Sequence, residues 1–370
     1  MNMRLAIPDK MEGIGWYSFE ITKRLVAEHP EHEFYLIYDR KIPDFDFHKL
    51  DNVKAFKLFP PARRPFLWKY WFNKSVTKFL QAEACDLFLS YDGYLSLNSD
   101  VPQISVIHDL NFEHYPEDLP ASYSRYYLEN FPRFAARARR VVTVSQFSKE
   151  DIIHHYNVPG ENIDVVYNGV KPDFQEIEEV DKTATRNKYS SGSDYILYVG
   201  SINPRKNLPR LCQAYDQFRK SHESDCKLIL AGSTMWDDQL TEIIDSLEYK
   251  SDIIHTGNVS LSELVKLMGS ASMLSYVSYF EGFGVPIIEA FATGTPVICS
   301  NRSSLPEIAG EAALKVDPFK VDEIASALLD LYSKKELKEK LISAGRIELK
   351  RFSWDKSASK MWEVILKAAE

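Results

Sequence analysis

The sequence predicts an α/β protein of two doubly wound halves, each a parallel sheet with helices on both faces. Three observations lead there. Short apolar runs alternate with longer amphipathic ones, the rhythm of strand–helix units. That alternation breaks off in a polar interval, residues 176–194 (EIEEVDKTATRNKYSSGSD), and then starts again. The chain also has 370 residues, more than one ordinary hydrophobic core organises.

Taken in order, Met3–Pro8 (MRLAIP) is expected as a first strand. Trp16–Glu28 is expected as a helix, because Tyr17, Ile21 and Leu25 stack at i+4 spacing. Strands are then expected at Glu33–Tyr38, Cys85–Ser90, Gln103–Ile107, Arg140–Val144 and Ile163–Val166, with helical stretches between most of them. The second half opens with Tyr195–Val199 (YILYV) and continues with Lys227–Ala231, Ile253–Thr256, Met273–Tyr276 and Pro296–Ser300. The boundary falls near Asn168-Gly169. An amphipathic helix is expected at about Trp354–Ala369.

Bulk composition removes several classes. Hydrophobic residues make up 45% and charged residues 26%, the balance of a soluble globular protein. A net charge of -8 leaves no global basic footprint for nucleic acid. The first residues do not form a signal peptide, and no stretch approaches the 18 or so apolar residues of a spanning helix. Cys85, Cys212, Cys226 and Cys299 lie far apart and form no CxxC pair. They read as reduced thiols of a cytoplasmic protein.

In an open α/β sheet, ligands sit beyond the carboxyl ends of the strands, where helix N-termini suit phosphate. Four turns stand out for this reason. In Ser278–Gly294 (SYFEGFGVPIIEAFATG), Gly282 and Gly284 permit a tight turn, and Pro286 suits a first helical turn. The loop can offer the N–H groups of Phe283, Gly284 and Val285 to a diphosphate, with Glu281 before the helix and Glu289 inside it, near ribose hydroxyls. Plain solvated acids in a strand–helix turn would give the same pattern. In Tyr195–Leu211, the strand ends in Gly200-Ser201. Arg205 and Lys206 follow, before a helix that Asn207 can cap. Two such cations can neutralise a leaving diphosphate, or merely face solvent.

The remaining two turns are in the first half. Pro8–Ser18 carries Gly13 and Gly15, the first two glycines of a dinucleotide fingerprint, with Ser18 in place of the third and Asp39 ending the next strand. This supports a rival reading as a dinucleotide oxidoreductase. His108, beside Asp109, directly follows the strand Gln103–Ile107 and is placed to face a ligand. Signatures of other chemistries are missing: there is no HExxH, no P-loop and no nucleophile elbow. Asp44-Phe45-Asp46 is a D-x-D, but its loop setting after Pro43 makes it a chance match.

With these residues in view, the segment SYFEGFGVPIIEAFATGTPVICSNRSSLPEIAG resembles retaining glycosyltransferases of family 4. The spacing from Glu281 to Glu289 is that family's E-x7-E signature. YVGSINPRKNL, VSQFSKEDI, VVYNGV and EAALKVDP match as well, in the family's order. The likeness is nearest to bacterial mannosyltransferases that build O-antigen, capsule or exopolysaccharide.

The resemblance implies a GT-B fold, two Rossmann-like doubly wound domains facing a deep cleft. Residues 1–168 would be an acceptor-binding domain and 169–350 a nucleotide-sugar donor domain, with a helix in 351–370 packing back toward the first. It implies that Arg205 and Lys206 hold the donor phosphates and that Glu281 lies by the transferred sugar. The amides of Phe283, Gly284 and Val285 would lie on sugar and phosphate, with Glu289 on the ribose. Gly13 and Gly15 would line the cleft, His108 would contact the transferred sugar, and Asn258-Val259 would lie near the base. It implies retention at the anomeric carbon, no metal and no cofactor. The donor would be a nucleotide-sugar, GDP-mannose first, with UDP- and dTDP-sugars open. A nucleotide-sugar epimerase of the same fold remains the related alternative.

One further segment bears on the partner. Residues 62–79 (ARRPFLWKYWFNKSVTKF) hold five cations and no acid, interleaved with Trp68, Tyr70, Trp71 and Phe72. Such a stretch suits peripheral contact with an anionic membrane, here the cytoplasmic face of the inner membrane, or a core helix whose cations face water.

Overall fold

A computed structural model describes residues 1–8, 11–233 and 239–370. The chain forms two compact units, residues 1–168 with 353–370, and residues 169–352.

The first unit runs α1 (Gly13–Glu28), β1 (Phe34–Tyr38), β2 (Val53–Lys57), α2 (Pro65–Tyr70), α3 (Thr77–Ala82), β3 (Phe88–Ser90), β4 (Gln103–Val106), α4 (Asn111–His114), α5 (Ala121–Arg137), β5 (Arg140–Thr143), α6 (Gln146–Tyr156) and β6 (Ile163–Val165). Strands β3-β4-β5-β6 form one parallel sheet in that order, and β1 pairs with β2. Asn2 bridges both groups, pairing in parallel with Ile37 and Ser90.

The strand expected at Met3–Pro8 does not form; only Asn2, just before it, bridges the sheets. Its apolar run contains Arg4, which is buried and reaches Asp92 at 2.8 Å and the carbonyl of Ala62 at 3.1 Å. The chain bends to bury it, and turn hydrogen bonds from Ala6 to Met3 and from Ile7 to Leu5 replace the ladder. A buried guanidinium needs its carboxylate more than the sheet needs another rung. Strand β2 went unforeseen, because VKAFK alternates weakly and half of it stays exposed.

Residues 65–79 sit on a helical run in which a π-helical stretch, Trp71–Val76, joins α2 to α3, with residues 62–64 leading into it. Trp68, Trp71 and Phe72 are core residues, packed with Tyr94, Tyr126 and Phe134. Burying each contributes about 1.5–3 kcal/mol, so three of the four interleaved aromatics serve the fold rather than a surface. The last helix, α15 (Trp354–Ala369), belongs to this unit and lies along α1. His29 stacks on Trp362 at 3.7 Å, and Ser357 donates to the carbonyl of Tyr167 at 2.7 Å.

The second unit runs α7 (Glu179–Ser190), β7 (Tyr195–Val199), α8 (Leu208–Ser221), β8 (Lys227–Ala231), α9 (Gln239–Ser246), β9 (Ile253–Gly257), α10 (Leu261–Ser270), β10 (Met273–Tyr276), α11 (Val285–Ala292), β11 (Val297–Ser300), α12 (Leu305–Ala309), β12 (Ala313–Val316), α13 (Val321–Ser333) and α14 (Lys335–Glu348). The polar interval is thus largely a helix, packed by one face on α10.

Its parallel sheet has the order β12-β11-β10-β7-β8-β9. The chain starts at β7, builds outward through β8 and β9, then crosses to β10 and builds the other way. The point where the order reverses lies between β7 and β10, and ligands enter such sheets there. The two turns singled out for chemistry follow these two strands.

Candidate active site

The site in the second unit grows from the carboxyl ends of β7 and β10. All five residues of β7 are buried, so the strand can end only where polar groups begin. Gly200 turns the backbone at φ +139°. Its carbonyl lies 1.9 Å from where a Cβ on Gly232, after β8, would stand, so only glycine fits there. The chain then makes a single 3-10 turn, Pro204–Lys206, which presents Arg205 and Lys206. After β10, residues Val277–Gly284 lead into α11. Gly284 has φ +101°, and Pro286 stands in the helix's first turn.

These two turns meet through Glu281. Lys206 Nζ donates to Glu281 Oε1 at 2.5 Å and to the Tyr276 hydroxyl at 2.8 Å. Arg205 Nη1 donates to Glu281 Oε2 at 2.8 Å and to the carbonyl of Phe280 at 3.1 Å. The Tyr276 hydroxyl donates to Glu281 Oε1 at 3.0 Å. Lys206 and Glu281 are each only 6% exposed, whereas 23% of the Arg205 side chain is open. Burial pushes the Glu281 carboxyl up, but Arg205 and Lys206 outweigh it and hold the group at about 2. Burial, reinforced by Glu281, pushes the Tyr276 phenol up, so it stays a neutral donor. Two cations against one carboxylate leave a buried cluster with one net positive charge.

The backbone around Glu281 is pinned as well. Its N–H donates to Ser303 Oγ at 3.0 Å, and Ser304 Oγ donates to its carbonyl at 2.8 Å and to that of Phe283 at 3.1 Å. No side chain caps α11, and no acid stands in its first turn.

Glu289 has the opposite setting. It is buried in α11, burial pushes its carboxyl up, and Lys171 Nζ at 3.6 Å offsets this in part. The two signature glutamates thus differ in charge state preference, one held ionised and one drawn toward neutrality. Asn258-Val259 follow β9, the edge strand two places from β7, away from the β7–β10 switch point. Asn207 stands before α8, but its side chain does not cap the helix. It donates instead to the carbonyls of Val277 and Pro318, at 3.0 and 2.6 Å, tying the turn after β7 to that after β10. Tyr276, Ser303, Ser304 and Lys171 were missed by sequence reasoning, although both serines lie inside the segment that carries the resemblance.

In the first unit, His108 follows β4. Its Nε2–H donates to the carbonyl of Tyr91 at 2.8 Å, which leaves Nδ1 as the acceptor. The ring of Tyr17 meets it edge-on at 5.1 Å. Burial lowers the imidazole's proton affinity, opposed by Tyr91, Asp109 and Asp92. Gly13 and Gly15 lie inside the first turn of α1, which begins three residues earlier than expected. A Cβ on Gly15 would come 2.5 Å from the carbonyl of Leu5, so that glycine allows a close approach of helix and loop, whereas Gly13 has open space.

Asp39 corrects the dinucleotide reading. Its side chain is fully buried, and both carboxylate oxygens are engaged, by Arg40 at 2.8 and 3.0 Å and by the N–H of Ala62 at 2.9 Å. A ribose would find no acceptor there. In the D-x-D, Phe45 is buried and Asp46 pairs with Lys49 on the surface.

Comparison with known proteins decides the class. Residues 181–348 match the family model for glycosyl transferases group 1, and residues 11–174 match that for glycosyltransferase family 4. O-antigen chain mannosyltransferase B of Escherichia coli is 30% identical over 359 residues, covering 93% of each chain. The chain belongs to glycosyltransferase family 4. O-antigen chain mannosyltransferase RfbU of Salmonella typhimurium (strain LT2) is 33% identical over 218 residues, 58% of this chain and 57% of that one. The crystal structure of Anabaena Alr3699/HepE in complex with UDP and glucose superposes with a TM-score of 0.77 at 18% identity, covering 99% and 98%. The glycosyltransferase therefore has the GT-B fold, its two halves each built on a parallel sheet.

Proposed function

We propose that this glycosyltransferase transfers mannose from GDP-mannose to a glycan or lipid-linked glycan during synthesis of a bacterial surface polysaccharide, with retention at the anomeric carbon. The observation that carries the reading is the identity along 93% of the chain to an O-antigen mannosyltransferase. The chemistry of the second unit supports it. As the glycosidic bond breaks, negative charge grows on the leaving diphosphate. Arg205, Lys206 and the amides at the start of α11 are fixed in advance for such charge, the largest contribution in many enzymes. Glu281 keeps both cations in place through its two oxygens and adds its own charge beside a carbon that becomes oxocarbenium-like. A departing phosphate oxygen takes the acceptor's proton on the same face, which accounts for retention without a dedicated base. Glu289 would accept from the ribose hydroxyls.

The donor is tested by thermal unfolding against GDP, UDP and dTDP, followed by turnover with the matching sugars. A ligand at a hundredfold excess over its dissociation constant stabilises by about 2.7 kcal/mol. A shift selective for GDP supports the proposal. A shift selective for UDP or dTDP overturns the donor assignment within the same enzyme class.

Membrane contact belongs to the same reading. Among the described residues no helix is long and apolar enough to cross a membrane. Phe66, Lys69 and Tyr70 share the outer face of α2, at i, i+3 and i+4 spacing, with Arg63 and Arg64 just before it, all exposed. Phe59, ahead of them, is 78% exposed. Aromatics among cations suit an anionic headgroup layer. Co-sedimentation with anionic but not neutral vesicles, lost in Phe66→Ser with Arg63→Glu and Arg64→Glu, is the expected result; no co-sedimentation at low salt would remove the idea.

A further inference from the structure

A second cluster of ligating side chains stands in the first unit, apart from the sugar and nucleotide roles assigned above. His114 ends α4, a short helix that begins three residues after His108. Asp151 and His155 are four residues apart on α6, so they project from one face of that helix. Nε2 of His114 lies 2.8 and 3.0 Å from the two carboxylate oxygens of Asp151, and Nε2 of His155 lies 3.4 Å from Oδ1. All three ligand atoms fall within 4.8 Å of one another. Asp151 is buried, while the His114 and His155 side chains are 32% and 28% exposed, giving a closed floor and an open mouth.

One carboxylate oxygen thus faces two imidazole nitrogens. A hydrogen-bond reading needs both rings to spend an Nε2–H on the same acid. A cation would use the same three atoms as lone-pair donors. A tetrahedral ion with bonds of about 2.0–2.1 Å holds neighbouring ligand atoms about 3.3 Å apart, so the two nitrogen–oxygen separations, 2.8 and 3.4 Å, need shifts of at most about half an ångström. Two imidazoles and a carboxylate are a set suited to borderline divalent cations. Their i, i+4 pair on one helix with a third ligand from another element fixes the chelate before the ion arrives.

We propose that His114, Asp151 and His155 form a binding site for a divalent transition-metal ion, zinc foremost, with water in the remaining position. The ion would clip α4 to α6. The segment between β4 and α4 carries His108, and Ser148 of α6 already donates to the His108 carbonyl at 3.3 Å. The role is to steady that segment, separate from the sugar-transfer chemistry, for which the family resemblance implies no metal.

The test uses the full chain, free of any affinity tag and stripped with chelator. Calorimetric titration with zinc chloride should give one equivalent, and cobalt(II) should develop visible d–d absorption of a nitrogen-and-oxygen site. His114→Ala and His155→Ala should each lose the equivalent. His155→Gln, which keeps a hydrogen-bond donor for Asp151, should lose it too, while His154→Ala should retain it. Metal-free unfolding of His155→Gln close to wild type shows that the fold is intact. Wild-type protein that binds no stoichiometric zinc, or a His114→Ala/His155→Ala double variant that binds it undiminished, overturns the proposal.

Discussion

Lys206→Ala isolates the charge that the proposed function assigns to the Arg205–Lys206–Glu281 cluster. The lysine is nearly enclosed, and its ammonium rests between Glu281 and the Tyr276 hydroxyl. Removing it takes the cluster from one net positive charge to neutral. A unit charge about 4 Å from a phosphate oxygen, at an effective dielectric of about 20, is worth about 4 kcal/mol. At 1.36 kcal/mol per tenfold, that is a loss of about a thousandfold in turnover. The fold should survive, because Glu281 keeps Arg205 at 2.8 Å and the Tyr276 hydroxyl at 3.0 Å. The assay is release of nucleoside diphosphate under saturating donor, run beside calorimetric unfolding of the same preparation. Turnover within about threefold of wild type, with the protein folded, would refute the argument that this cation offsets leaving-group charge. A large loss confined to KM would also count against it, since uniform binding of ground and transition states leaves kcat unchanged.

Three further outcomes follow from the geometry. Because the Glu281 carboxyl is held at about 2, below its usual 4.5, its ionised form stabilises the fold at higher pH; that contribution should fade as pH falls from about 4.5 toward 2. Urea unfolding should therefore show the gap between wild type and Glu281→Gln narrowing across that window, and a gap independent of pH would contradict the ion cluster. Gly232→Ala should cost at least about 3 kcal/mol or yield insoluble protein, since φ is +153° and a Cβ would lie 1.9 Å from the Gly200 carbonyl oxygen; a stable variant by urea unfolding would mean that the turns after β7 and β8 are looser. At neutral pH, nitrogen NMR of labelled His108 should report a neutral ring protonated at Nε2, because burial lowers its proton affinity and Tyr91 accepts from that nitrogen. A dominant Nδ1–H tautomer would overturn the assignment.

Much of the second unit was legible in the sequence because its signals are local. YILYV is a continuous apolar run bounded by polar residues, and it forms β7 over the residues expected. Pro286 and Gly294 mark the ends of α11 by backbone preference alone, and Gly294 indeed turns at φ +69°. What stayed hidden depends on neighbours distant in sequence. Arg4 is met by Asp92, and nothing near Met3–Pro8 announces that the strand will bend to serve that pair. The chemistry of Glu281 is set by cations 75 and 76 residues away, across the β7–β10 switch point. Asn207 has the composition of a helix cap, yet two carbonyls brought close by the fold claim its amide. Trp68, Trp71 and Phe72 look like Tyr70 in a one-dimensional reading. Only the residues they pack against, such as Tyr94, Tyr126 and Phe134, separate core from surface.

The return of the chain to its first unit has a consequence for biosynthesis. Residues 353–370 leave the ribosome after the whole of 169–352, yet they cover α1, with Trp354 against Tyr17, Asp355 on Arg24 and Trp362 on His29. The half made first is thus finished last. Until α15 is released, α1 keeps an apolar flank open to water while the second half folds to completion. A chain stalled near residue 352 would hold a complete second unit attached to an unfinished first one. In the cell, such a species would be recognised by its exposed aromatic surface and removed, so loss of residues 353–370 would act on the unit built from residues 1–168.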